Sequence, residues 1–174
     1  MRARNAVQYG PYSETVVILA AQIPDTVPLP TVVFVPDVIT ITWTAVYIRG
    51  SPLLGYKILF LANDGSYKEE KTHCDGSSPA IMSALTCTIP TNVFTQSPLS
   101  LPWGSTVQTK VLAYNTYGDS LDSAISTAVF IRKKPDAPIL TENRALRTPT
   151  SFGLQWEEPF TGGAPIIDYR ITYD

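Results

Sequence analysis

The sequence predicts an all-β protein made of short strands stacked as two-layer sandwiches, and three observations support this. Apolar residues alternate with polar ones at a period of two. Clusters of turn-forming residues separate those runs. Whole phrases recur about 110 residues apart.

The alternation is visible strand by strand. "VITITW" places Ile39, Ile41 and Trp43 on one face, with Thr40 and Thr42 on the other. "YKILF" groups Tyr56, Ile58 and Phe60, and "FGLQW" groups Phe152, Leu154 and Trp156. "IDYRITY" groups Ile167, Tyr169, Ile171 and Tyr173, and the apolar run "TVVILAA" (Thr15–Ala21) has the length of a strand. Turns are marked by Asn63-Asp64-Gly65, Asp75-Gly76-Ser77-Ser78, Gly118-Asp119-Ser120 and Gly162-Gly163. No segment has a convincing helical period, so no helix is expected.

The composition agrees. Hydrophobic residues make up 44% of the chain, enough for a packed core. Charged residues, at 16%, fall below the usual quarter or so, while Pro reaches 15 and Tyr 9. That profile suits a turn-rich β protein and not a helical bundle. Net charge is −2, and no basic run exceeds Lys133-Lys134. Nucleic acid is therefore excluded as an expected partner, because phosphate binding needs clustered positive charge. No apolar stretch reaches the roughly 18 residues of a membrane span. Arg2, Arg4 and Asn5 lead into polar turns unlike a signal peptide, so a secreted parent protein would begin upstream of Met1.

Candidate chemistry is sparse. His73 is the sole imidazole and adjoins Cys74, but neighbours on a strand point to opposite faces and would not converge on a nucleophile or metal site. An exposed loop histidine is expected. "YKEEK" (Tyr67–Lys71) reads as the solvated face of a strand. Phosphate-cradling glycine loops and GxSxG are absent, so no enzyme activity, cofactor or metal is expected. There is no Asn-x-Ser/Thr sequon. Cys74 and Cys87, with twelve residues between them, match neither a CxxC redox motif nor a zinc site. A disulfide and a pair of inert buried thiols both remain open. A bridge would add about 3 kcal/mol in the chain-entropy model and imply an oxidising compartment.

The repeats set the organisation. Trp43 and Trp156 lie 113 residues apart, as do Tyr56 and Tyr169, while Asn5 and Asn115 lie 110 apart. "IPD" at 23–25 returns as "KPD" at 134–136. The Pro-containing stretches Ile23–Pro30 and Lys134–Pro138 read as short semi-rigid joints. The expected parts are residues 1–22, the tail of one unit; 23–133, a complete unit; and 134–174, the head of a third.

These residues resemble fibronectin type III modules. The resemblance lies in Trp43 followed by Tyr56, in the phrase formed by Val111, Ala113, Asn115, Gly118 and Ser120, and in "TGGAPIIDYRITYD". It implies immunoglobulin-like sandwiches, with strands F and G in 1–22 and strands A, B and C in 134–174. It also implies Trp43, Tyr56, Ile58, Phe60, Val111 and Ala113 as core of the middle unit, and Trp156, Tyr169, Ile171 and Tyr173 as core of the third. The middle unit further resembles repeats of large protist cell-surface proteins, in which two cysteines bracket an insertion between strands C′ and E. That favours a Cys74–Cys87 disulfide. Two positions depart from the family. Val107 stands where a corner tyrosine is usual, and Gln8 stands where the next unit has Gly118, so the two F–G turns should differ in shape. Members that bind adhesion receptors carry Arg-Gly-Asp in the F–G loop; here Tyr117 precedes Gly118, and "IRGS" (Ile48–Ser51) lacks the Asp. Trp103 would either cover the base of the sandwich or face a neighbouring unit.

The expected function is that of a non-catalytic structural or adhesive spacer in a long extracellular or cell-surface tandem-repeat protein, perhaps better described as filament-building. Its partners would be neighbouring modules or copies of itself, with other surface or matrix proteins as further candidates. Strands F and G of one copy could complete A, B and C of the next. Two alternatives stand beside this reading: a receptor-like or carbohydrate-binding module using the loops Ala45–Pro52 and Asn115–Ser120, and an accessory segment of a secreted enzyme. An intracellular scaffold, with both thiols free, is also open.

Overall fold

Alternation at a period of two becomes two stacked sheets in the computed structural model, which describes residues 1–173. The first sheet contains β1 (Thr31–Val35), β2 (Val38–Thr42) and β5 (Thr86–Pro90), in the order β1-β2-β5. The second contains β3 (Leu53–Leu61), β4 (Tyr67–Glu69), β7 (Thr109–Asn115) and β8 (Gly118–Asp119), in the order β4-β3-β7-β8. A short pair, β6 (Thr106–Val107) with β9 (Val129–Phe130), lies apart from both. Neighbouring strands are antiparallel throughout, with Ile41 opposite Cys87 and Ile58 opposite Val111.

The inward-facing residues of the sheets meet in one interior. Ile39, Ile41 and Trp43 from the first sheet face Tyr56, Ile58, Phe60, Val111 and Ala113 from the second, and all are buried. The rings of Trp43 and Tyr56 lie 5.6 Å apart, and Phe60 meets Phe94 edge-on at 5.5 Å, within the range where aromatic pairs attract. Val107 is fully buried, so an aliphatic side chain fills the corner position. On the outer face, Thr40 bonds Thr88 and Thr42 bonds Thr86, hydroxyl to hydroxyl.

Two elements correct the expectation of no helix. Residues Pro79–Ala84 form α1, and Thr91–Thr95 form a 3-10 turn that buries Phe94. Helix α1 is too short to show a period in the sequence, but Pro79 at its first turn and Leu85 with φ 54° just past its end are a start and a stop. Ile81, Met82 and Leu85 pack on the main core. The helix lies between β4 and β5, where Cys74 and Cys87 are joined as a disulfide with Cα atoms 5.3 Å apart. Asp75 begins that insertion. Its carboxylate accepts from the Ser77 hydroxyl and N–H, which hold it below its ordinary range.

The outer segments differ from expectation more substantially. Ile139–Thr148 (β10) and Ser151–Glu157 (β11) form a hairpin in which Leu140 pairs with Trp156. Trp156, Tyr169 and Ile171, expected as core of a third unit, are not enclosed: they are 41%, 37% and 48% exposed, and Tyr173 is more exposed still. Trp156 and Tyr169 do meet at 5.4 Å, repeating the Trp43–Tyr56 contact. Among the described residues no second sheet covers the pair, so the contact stays open to solvent. The expected strands at 167–173 and at Thr15–Ala21 carry no ladder, because no partner strand runs beside them.

Truncating Trp43 to Ala should cost about 3–5 kcal/mol in chemical denaturation. Trp43→Phe should cost clearly less, because it also removes Nε1–H, which lacks a hydrogen-bond partner among the described residues. Cys87→Ser should lower stability by about 2–4 kcal/mol. Reductant should lower the wild-type melting temperature and leave that of the variant unchanged.

Candidate functional site

The only histidine lies beside a carboxylate rather than a nucleophile. Glu70 is buried, which corrects the reading of 67–71 as a solvated face. Its two oxygens accept the N–H groups of Thr72 and His73 at 3.0 Å, and His73 Nδ1 lies 3.3 Å from Oε2. Glu70 thus satisfies a turn, and the Cys74 sulfur is committed to its bridge. Among the described residues no cluster of His, Cys, Asp and Glu could hold a metal ion, and no helix is long and apolar enough to cross a membrane.

The more informative geometry lies at the edge of the second sheet. After β8 the chain follows β7 in steps of three residues, while β7 advances in steps of two. Ser120, Ser123 and Ser126 donate their N–H groups to the carbonyls of Ala113, Val111 and Thr109. Their hydroxyls accept the N–H groups of the same three residues at 3.0–3.1 Å, in place of main-chain carbonyls. Ser120 and Ser123 then pass their own protons to the Leu121 and Ala124 carbonyls. All three serines are buried. The intervening residues bulge outward, which blunts a sheet edge that would otherwise invite pairing.

The N-terminal segment repeats this pattern 110 residues earlier. Gly10 N–H donates to Ala3 and Ser13 N–H to Met1, matching Ser120 to Ala113 and Ser123 to Val111. The Ser13 hydroxyl likewise accepts from the Met1 nitrogen and donates to Glu14. Arg4 bridges Tyr9 as Tyr114 pairs with Asp119. The turns differ at their tips, where Gly118 has φ 132° and Gln8 has no positive φ. Sequence reading missed the serines, although their spacing at 120, 123 and 126 is visible once the ladder is known.

The loop Ala45–Pro52 is occupied by the chain that precedes the sandwich. Gln22 N–H donates to the Arg49 carbonyl and Asp25 N–H to the Tyr47 carbonyl, both at 3.1 Å. The same strap recurs where Lys133 N–H donates to Gly162 at 2.9 Å and Asp136 N–H to Phe160 at 3.0 Å. Donors are offset by 111 residues and acceptors by 113. Each strap has a glycine in close approach. A Cβ on Gly50 would lie 2.5 Å from the Ala20 carbonyl oxygen, and one on Gly163 would lie 2.5 Å from Gly104 N and 3.0 Å from the Ile131 oxygen. Asn115, at the base of the F–G turn, donates its side-chain amide to the Gln22 carbonyl and accepts from Tyr117 N–H. On the same turn Asp119 accepts from Lys57 Nζ at 2.6 Å, which raises the lysine above its ordinary range. Trp103 packs against the core and also lies near Lys133, so it serves both expected positions.

Ser123→Ala should strand the buried Val111 N–H and cost about 1–3 kcal/mol in chemical denaturation. Asp122→Ala, one residue away and exposed, should change stability by under about 0.5 kcal/mol.

No family model matches the chain, and no curated protein does. Solved structures do match. A run of titin domains is 20% identical with TM-score 0.47, covering 64% of this chain and 33% of that one. The FN1–FN3 domains of chicken CNTN1 are 16% identical with TM-score 0.44, covering 67% and 37%. The sixth fibronectin type III domain of human fibronectin type III domain containing protein 3 is 17% identical with TM-score 0.46, covering 66% and 91%. The chain thus spans well under half of the titin and CNTN1 structures. The fold is identified instead by its own strand order. With β1, β2 and β5 as A, B and E, and β4, β3, β7 and β8 as C′, C, F and G, the chain carries a fibronectin type III β-sandwich.

Proposed function

We propose that this chain is a non-catalytic spacer from a tandem-repeat protein, with a structural or adhesive role outside the cell. The observation that carries the reading is repetition of bonding geometry. The F–G ladder at 1–14 recurs at 111–124, and the strap at 22–49 recurs at 133–162. The proposed units are 1–22, 23–133 and 134–174, the first and last being parts of modules. A buried disulfide supports an oxidising compartment. Neighbouring modules are the proposed partners. The spacer reading is favoured over a loop-binding one because Tyr47 and Arg49 already accept the strap's N–H groups, so the B–C loop is engaged with the chain itself.

Two measurements test this. On a glycan array the chain should show no saturable binding; a ligand lost on Tyr47→Ala or Tyr117→Ala would replace the spacer with a binding module. Antibody raised against the chain should label unpermeabilised native cells. Labelling only after permeabilisation would overturn the extracellular placement.

A further inference from the structure

The two straps share more than their main-chain bonds. Each holds one aspartate and one cation, but the cation comes from opposite sides. In the first strap Arg49, on the B–C loop, contacts Asp25 through Nε and reaches Gln22 Oε1 at 3.4 Å. In the second, Lys133 Nζ, on the Pro-containing segment, lies 2.7 Å from Asp136. Matched by position, Asp25 corresponds to Asp136, Gln22 to Lys133 and Arg49 to Gly162. The cation has crossed the strap while the ion pair has been kept.

Backbone conformation adds a second observation. Arg49 has φ 46° and its counterpart Gly162 has φ 72°. Side chains are disfavoured in this left-handed region, and glycine is the default there. An arginine held where glycine is more comfortable needs a reason, and Asp25 supplies one. At the second strap Lys133 Nζ lies 5.9 Å from the centre of Trp103, in the loop before β6, and 5.1 Å from that of Phe160, in the loop after β11. One ammonium thus faces rings from both sides of the joint.

We propose that each strap is a lock between consecutive modules, an interaction surface whose partner is the next module of the same chain. Its ion pair is specified jointly by the positions of residues 22 and 49, and of 133 and 162. Because the same lock is built at both joints, successive modules are related by one repeated rotation and translation, and the array is a stiff rod with constant twist. This rests on the spacer reading above and adds to it that the joints are fixed.

Amide hydrogen exchange followed by NMR on the whole chain tests the lock. The amides of Gln22, Asp25, Lys133 and Asp136 should exchange at least about tenfold more slowly than unstructured amides. Arg49→Gly should speed exchange at Gln22 and Asp25 about threefold to fivefold, the range an exposed ion pair supports, and leave Lys133 and Asp136 unchanged. Adding Gln22→Lys should restore protection by installing the second strap's arrangement in the first. About 1 M salt should reproduce the single variant's effect in the wild type. Unprotected strap amides beside protected β3 and β7 amides would overturn the lock while leaving the spacer reading intact. No response to Arg49→Gly, or no rescue by Gln22→Lys, would overturn the shared ion pair.

Discussion

The contact between Trp43 and Tyr56 across the two sheets is the constraint on which the rest of the molecule depends. It joins β2 to β3 at the end of the sandwich where the B–C loop leaves, and so fixes the loop that receives the strap. The same pair of residue types appears as Trp156 and Tyr169 at nearly the same separation, 5.4 Å against 5.6 Å. Burial separates the two: Trp43 is 3% exposed and Trp156 41%. A single aromatic contact is therefore not a core. Burial, and the stability it brings, requires the second layer, since apolar area must leave water on both faces.

With one sandwich closed, its edges and ends become the working surfaces. The first sheet is edged by β1 and the second by β8 and the serine-laddered chain that follows it. Serine hydroxyls let that chain satisfy the N–H groups of β7 without presenting a regular strand outward, consistent with a module that must remain separate from its neighbours sideways. Contact lengthwise is handled differently. The B–C loop takes up main-chain bonds from the preceding segment, and glycines at 50 and 163 allow backbones to approach more closely than a side chain would permit.

Much of this was legible in the sequence, for identifiable reasons. Ile39, Ile41, Trp43, Tyr56, Ile58 and Phe60 alternate because each sheet has one wet face, and a period of two survives in any strand of five residues or more. The roughly 110-residue spacing showed that units repeat. Other features left no such trace. Helix α1 is too short for a period, Glu70 looks like any surface carboxylate until its turn is seen, and Ser120, Ser123 and Ser126 follow a spacing that belongs to neither helix nor strand. Exposure at Trp156, Tyr169 and Ile171 could not be read locally, because it depends on a layer supplied by other residues. The exchanged cation at positions 49 and 133 emerged only when the two straps were compared bond by bond.

The account rests on two tryptophans that occupy equivalent positions in separate units, only one of which lies in a closed interior. Acrylamide quenching of single-tryptophan variants measures this directly, with the remaining indoles replaced by Phe. Trp43 should emit at short wavelength and be strongly shielded, while Trp156 should emit at long wavelength and be readily quenched. Equal shielding of both, at a concentration where the chain is monomeric, would mean that they share one interior and would contradict the account.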